Sequence, residues 1–168
     1  MLWLLENNPE ATRNLRREAQ ARAVDERRLI FAPHIKLSEH LARHRLADLF
    51  LDTLPYGAHT TASDALWAGL PVLTCMGTTF AGRVAASLLH AVGMPELITG
   101  TLEDYATSAL KLARDAAELA AIRTKLARNR DTFPLFDTAR FTRNFEAALV
   151  TMHERRQNGR PPADFAVT

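Results

Sequence analysis

A parallel α/β sheet covered by helices on both faces is the architecture predicted by the first two thirds of this 168-residue chain. Three observations predict it. Short apolar runs alternate with longer segments of helical period, at a spacing that suits strand–helix–strand units. The first run, Leu2–Leu5, is apolar at every position, the pattern of a central strand buried on both faces. Pro33, Gly69 and Gly93 each close a segment, as chain-breaking residues do at the ends of regular elements.

Taken in order, the strand at residues 2–5 is followed by a helix over 10–24, and a second strand at 29–31 ends at Pro33. A short helix over 38–45 has Ser38 as its expected N-cap, because a serine hydroxyl can accept from the first free amides of a helix. The run DLFLD at 48–52 reads as the third strand, and residues 60–68 as a helix that Gly69 terminates. PVLTC at 71–75 is the fourth strand, followed by a helix over 82–92 that stops at Gly93. A last short strand falls at 97–98. After Thr101 the period is helical only, with helices expected over 102–114, 116–130 and 138–157. Residues 1–157 therefore read as one domain and residues 158–168, with Gly159, Pro161 and Pro162, as a flexible tail. A chain that opens directly on a buried-type strand predicts a natural unit extending upstream.

Composition narrows the function classes. Apolar residues make up 47% and charged residues 24%, so a packed globular domain is expected. No apolar run approaches the roughly 20 residues that a membrane span needs, and the start lacks the basic, long-cored pattern of a signal peptide. The net charge is only +2, and the arginines at 13, 16, 17, 22, 27 and 28 read as an exposed helical face. They lack the interleaved aromatics of a single-strand nucleic-acid platform, so neither nucleic acid nor membrane is an expected partner. The single cysteine, Cys75, rules out an internal disulfide and suits a reducing compartment, and its place at the end of an apolar strand predicts packing. Trp67 is expected in the core. His90 and His153 lack the partners of a metal site, and no acidic pair points to a metal.

The residues able to carry chemistry cluster after the strands. Ligands of open α/β sheets bind beyond the carboxyl ends of the strands. In residues 52–69, DTLPYGAHTTASDALWAG, a strand ends at Asp52 and a helix begins near His59, Thr60 and Thr61. A helix start offers unpaired amides and the positive end of a dipole, which suits a phosphate. Two hydroxyls and an imidazole add donors there, and Asp64, one turn on, suits ribose hydroxyls or an amino group. The same residues also suit a plain cap at Thr60 and a first-turn dipole partner at Asp64. A second group, Lys36, His40 and Arg43, falls after the second strand, with His40 and Arg43 three apart on one helical face. A solvated amphipathic helix would show the same spacing. The loop GTTFAGR at 77–83 lets a backbone approach a ligand, with Arg83 within reach of a phosphate or a partner domain, yet it matches neither of the standard glycine-rich phosphate loops.

The stretch LADLFLDTLPYGAHTTASDALWAGLPVLTC, followed by GTTFAGRVAASLL, resembles the C-terminal catalytic lobe of O-linked N-acetylglucosamine transferases. The SPINDLY-type proteins of plants and bacterial relatives, usually with tetratricopeptide repeats, belong to the same family. The resemblance runs from residue 2 to residue 152, and PLFDTARFTRNFE fits the family's C-terminal part. It implies a GT-B fold, two Rossmann-like lobes facing each other across a cleft, of which this chain would be the C-terminal lobe that holds the sugar nucleotide. By that resemblance His59, Thr60 and Thr61 would contact the diphosphate, Asp64 the ribose, and His40 and Arg43 the nucleotide pocket. Animal members carry a lysine at the position of Leu37, so Lys36 beside it is the candidate substitute.

The implied chemistry is an inverting, metal-independent transfer of N-acetylglucosamine from UDP-GlcNAc to Ser or Thr hydroxyls of proteins, with no resident cofactor. The acceptor would be bound through an N-terminal lobe and repeat region upstream, in the cytoplasm. Two alternatives stay open: a GDP-fucose-dependent relative, and an inactive nucleotide-binding or partner-binding fragment. No residue of this chain stands out as a general base.

Overall fold

A computed structural model describes residues 1–167, and Thr168, the end of the expected tail, lies outside them. The chain forms two compact units, Met1–Ala47 and the residues from Asp48 onward. All strand pairs are parallel, as the alternating pattern predicts, and the strands bond into two sheets, one in each unit.

In the first unit, β1 (Leu2–Leu5) and β2 (Leu29–Ala32) pair in register from Leu2 opposite Leu29 to Leu5 opposite Ala32. The helix between them, α1 (Pro9–Ala21), starts where its sequence dictates. Asn8 accepts from the amides of Glu10 and Ala11, and Pro9 occupies a position that needs no amide hydrogen. Its arginines are mostly solvated, as expected, with Arg16 lying over the Phe31 ring at 5.3 Å. The second helix, α2, spans Leu37–Arg43.

Two expectations fail in this unit. The helix begins one residue before Ser38, because the Lys36 carbonyl already accepts from the His40 amide at 2.8 Å. Lys36 is therefore the N-cap position and Ser38 lies inside the helix, where its hydroxyl caps nothing. And β1 is not buried: Leu2, Trp3 and Leu5 are exposed, Leu5 by 48%. A 47-residue unit with a two-stranded sheet has too little chain to cover an all-apolar strand on both faces.

The second unit has the core. Its sheet runs β3 (Phe50–Leu51), β4 (Val72–Cys75), β5 (Ile98–Thr99), with β4 central and buried at all four positions. Helices α3 (Thr60–Trp67) and α4 (Val84–Ala91) set Ala62, Ala65, Leu66, Ala85, Ala86 and Leu89 into that core. Fully burying a leucine such as Leu66 or Leu73 is worth about 1.5–3 kcal/mol. Cys75 packs in this layer, as predicted. Gly93 takes a φ of +69° to end α4, and a Cβ there would lie 2.2 Å from the Phe133 ring, so both backbone and packing require glycine.

Helices α5 (Leu102–Arg114), α6 (Ala116–Thr132) and α7 (Thr138–Gln157) follow, close to their predicted limits. Thr101, Asp115 and Asp137 cap them in turn. Trp67 departs from expectation: it is 52% exposed, under the Arg130 guanidinium and edge-on to Phe136. Ala65 and Leu66 take the inward face of α3, which turns position 67 outward. Among the described residues no helix is long and apolar enough to cross a membrane.

Candidate functional site

The buried face of α3, made by Ala62, Ala65 and Leu66, fixes which of its residues can meet a ligand. Thr60 and Thr61 are left exposed in the first turn, and Asp64 is half-buried one turn further on. His59 holds the N-cap position with φ −112° and ψ −93°, and no side chain caps this helix. The first helical bond runs from the Ser63 amide to the His59 carbonyl, so the amides of Thr60, Thr61 and Ala62 are unclaimed among the described residues. The Asp64 carboxylate and both threonine hydroxyls likewise lack a hydrogen-bond partner there. The positive end of a helix, three free amides, two hydroxyls and an imidazole thus converge at one place.

The loop that delivers this helix start is closed on itself. Asp52, at the end of β3, is 5% exposed. One carboxylate oxygen, Oδ1, accepts from the Thr53 amide at 2.8 Å and the Ala58 amide at 2.7 Å, so the loop begins and ends on one atom. Oδ2 accepts from the Thr74 hydroxyl of β4 at 2.7 Å. A hydrogen bond to an ionised acceptor is worth about 1.5–3 kcal/mol, and three of them satisfy a carboxylate with no cation beside it. The Tyr105 hydroxyl of α5 donates to the Asp52 main-chain carbonyl at 2.7 Å. Burial first, then the Asp52 charge, then Cys75, push this phenol up to about 12, so it stays a donor at neutral pH.

A second loop, from β4 to α4, meets the first. The Ala81 carbonyl accepts from the Gly57 amide at 3.2 Å, and the His59 Nε2 lies 3.3 Å from the same oxygen. A side chain at Gly57 would meet that carbonyl at 3.0 Å and Asp52 Oδ2 at 3.2 Å. A side chain there would push the two loops apart by a few tenths of an ångström. Tyr56 stacks on the His59 ring with centroids 5.2 Å apart, and Phe80 stands edge-on to it at 6.0 Å. Both aromatics are open to solvent, Phe80 by 83%. Arg83 is exposed at the N-cap position of α4, and among the described residues its side chain makes no hydrogen bond.

In the first unit, His40 and Arg43 meet as their three-residue spacing predicts. Arg43 Nε donates to His40 Nδ1 at 3.0 Å, and its Nη1 donates to the Pro33 carbonyl at 3.0 Å. The guanidinium lies over the Trp3 ring at 5.6 Å. Lys36 is exposed at the start of α2.

All seven residues singled out from the sequence are thus placed beyond strand ends: Lys36, His40 and Arg43 after β2, and His59, Thr60, Thr61 and Asp64 after β3. The residues that shape the second loop pair, Asp52, Thr74, Tyr105 and the Ala81 carbonyl, were not assigned roles from the sequence. Their partners lie 22 to 53 positions away, which no local pattern reveals. Gly57 between Asp52 and His59 was the one local signal of a tight closure. Among the described residues no group of three or more His, Cys, Asp or Glu side chains could hold a metal ion.

Comparison with known proteins shows the family of the chain. Residues 1–145 match the model of glycosyl transferase family 41. The chain is 36% identical over 161 residues, 96% of its length, to the UDP-N-acetylglucosamine–peptide N-acetylglucosaminyltransferase of Caenorhabditis elegans. It is 38% identical over 167 residues to an Arabidopsis thaliana protein named "Probable UDP-N-acetylglucosamine–peptide N-acetylglucosaminyltransferase SEC". A solved O-GlcNAc transferase variant from Thermobaculum terrenum superposes with a TM-score of 0.83 at 36% identity, over 90% of this chain. The chain spans 14% and 17% of the two curated relatives and 30% of the solved chain.

Proposed function

The chain belongs to glycosyl transferase family 41, and on that premise we propose that it is the donor-binding part of a GT-B transferase that moves N-acetylglucosamine from UDP-GlcNAc to protein Ser or Thr hydroxyls. The observation that carries the proposal is the start of α3: an uncapped helix with three unclaimed amides, flanked by His59, Thr60 and Thr61, with Asp64 free one turn on. The names of the matched relatives support N-acetylglucosamine over fucose as the sugar.

In the proposed reaction the acceptor oxygen attacks the anomeric carbon and inverts it. The bond from that carbon to the diphosphate oxygen breaks, the diphosphate keeps the electron pair, and the acceptor proton passes to solvent water. The leaving group gathers negative charge as the bond breaks. Fixed donors already aimed at that charge lower the barrier without reorganising. The α3 amides, the two threonine hydroxyls and His59 are that set of donors, and they take the role that a metal ion fills elsewhere. Asp64 accepts from the ribose hydroxyls; within the first unit, Lys36, His40 and Arg43 are further candidate nucleotide contacts. The acceptor protein is held by an N-terminal lobe and tetratricopeptide region of a longer cytoplasmic protein.

Calorimetric titration of the whole chain with UDP and with GDP tests the reading, alongside a His59→Ala, Asp64→Ala double variant. UDP binding at least tenfold tighter than GDP binding, and lost in the variant, is the expected result. GDP selectivity would move the donor to a fucosyl nucleotide. A folded chain that binds neither would leave the inactive-fragment alternative standing.

A further inference from the structure

Most buried carboxylates at strand ends are explained by the turn they close. Asp52 closes something larger. Its Oδ1 receives amides from both ends of the loop of residues 53–58, and the second of these, Ala58, is bonded directly to His59. Its Oδ2 ties the same group to β4 through Thr74, and its main-chain carbonyl is held by Tyr105 of α5. Its main-chain amide is held by the Leu73 carbonyl at 3.0 Å. Its Oδ2 and both main-chain polar atoms are thus held by β4 and α5, while its Oδ1 holds the loop that ends at the start of α3.

We infer that Asp52 is a positioning residue of the donor site: its carboxylate holds the loop closed and so sets where the free amides of α3 point. The inference rests on the donor-site reading of α3. The His59 backbone, at φ −112° and ψ −93°, takes the chain from the Asp52-held amide of Ala58 directly into the helix. Small displacements of reacting or binding groups weaken a preorganised site far more than they weaken a fold. Gly57 belongs to the same device, because a Cβ there would crowd Asp52 Oδ2 at 3.2 Å and the Ala81 carbonyl at 3.0 Å.

Asparagine keeps the shape of aspartate, and its Oδ1 can still accept both amides while the Thr74 hydroxyl rotates to accept from Nδ2. Alanine removes every clamp. UDP affinity and the hydrogen exchange of the Ala58 amide are therefore measured in the native chain, in Asp52→Asn and in Asp52→Ala. A core variant on α6, Leu126→Ala, is measured beside them as a control for lost stability.

Asp52→Ala is expected to bind UDP at least tenfold more weakly and to exchange the Ala58 amide at least tenfold faster. Asp52→Asn should stay within about threefold on both measures, and Leu126→Ala within about threefold in affinity. Should Asp52→Ala fail to fold, Thr74→Val, which removes only the donor to Oδ2, is expected to weaken UDP binding and speed Ala58 exchange in the same direction. The inference is overturned if folded Asp52→Ala, or Thr74→Val in its place, keeps native affinity or native Ala58 protection. It is also overturned if Leu126→Ala loses as much affinity. If the native chain binds no UDP, the donor-site reading fails by itself. The exchange arm then decides the clamp alone: Ala58 protection lost in Asp52→Ala supports it, and protection retained refutes it.

Discussion

Helices α1, α5, α6 and α7 begin under an acceptor side chain, Asn8, Thr101, Asp115 and Asp137 respectively, whereas α2, α3 and α4 begin at a cation-forming one, Lys36, His59 and Arg83. An acceptor at the N-cap is worth about 1 kcal/mol, and a positive charge beside the positive end of the dipole costs about 0.3–1 kcal/mol. The first group is arranged for stability. The second forgoes that gain at the three helices that follow β2, β3 and β4, where an α/β sheet meets its ligands. An anion bound at the start of α3 would restore what the missing cap forgoes, and the diphosphate proposed for this site is such an anion.

Four measurements would break or sharpen this contrast. The largest effect belongs to the body of α3 and not to its start: Leu66→Ala should destabilise the second unit by about 2–5 kcal/mol in urea unfolding, since Leu66 is wholly buried. Next comes an exchange of one group's design for the other's. His59→Asp should stabilise the fold by about 0.5 kcal/mol through the dipole, while UDP binding weakens at least tenfold, or about 1.4 kcal/mol. A variant that gained stability and kept its affinity would show that the free helix start is not a binding device.

The converse change is milder. Asp115→Ala removes the cap of α6 and should cost about 1 kcal/mol in thermal or urea unfolding, with UDP affinity unchanged. The smallest effect is alkaline. The Tyr105 phenol is held up to about 12 in the folded chain against its ordinary value of 10, so the folded state favours the protonated form. That contribution is complete below pH 10 and is lost as pH rises from 10 to 12, a change on the order of 1 kcal/mol after solvent screening. Tyr105→Phe should flatten this limb of the stability–pH curve, and a native slope in the variant would show that the limb does not come from the buried phenol.

The α3 site was legible because its parts are consecutive. A strand, a glycine-bearing loop and His59-Thr60-Thr61 at a helix start lie within one short stretch of sequence, and parallel α/β geometry brings that stretch to the carboxyl edge. Thr60 was read as a possible cap, and the structure gives the cap position to His59 instead, because one residue of helix phase separates them. The clamp around Asp52 was not legible, since Thr74 and Tyr105 are brought to it by tertiary packing. Hydropathy misled along β1 because it reports what a side chain prefers and not whether chain is present to cover it, and at Trp67 because it does not report helix phase. Ser38 misled differently, as a good capping residue that the preceding backbone had already drawn inside the helix.

The contact between His59 Nε2 and the Ala81 carbonyl has a further chemical meaning. A carbonyl oxygen only accepts, so that nitrogen must carry the hydrogen for the contact to be a bond. The Ala81 carbonyl thus turns the ring so that Nδ1, and not Nε2, is the nitrogen left facing a ligand. The neighbouring loop's backbone, and not the helix that His59 begins, sets which edge of the imidazole this site presents.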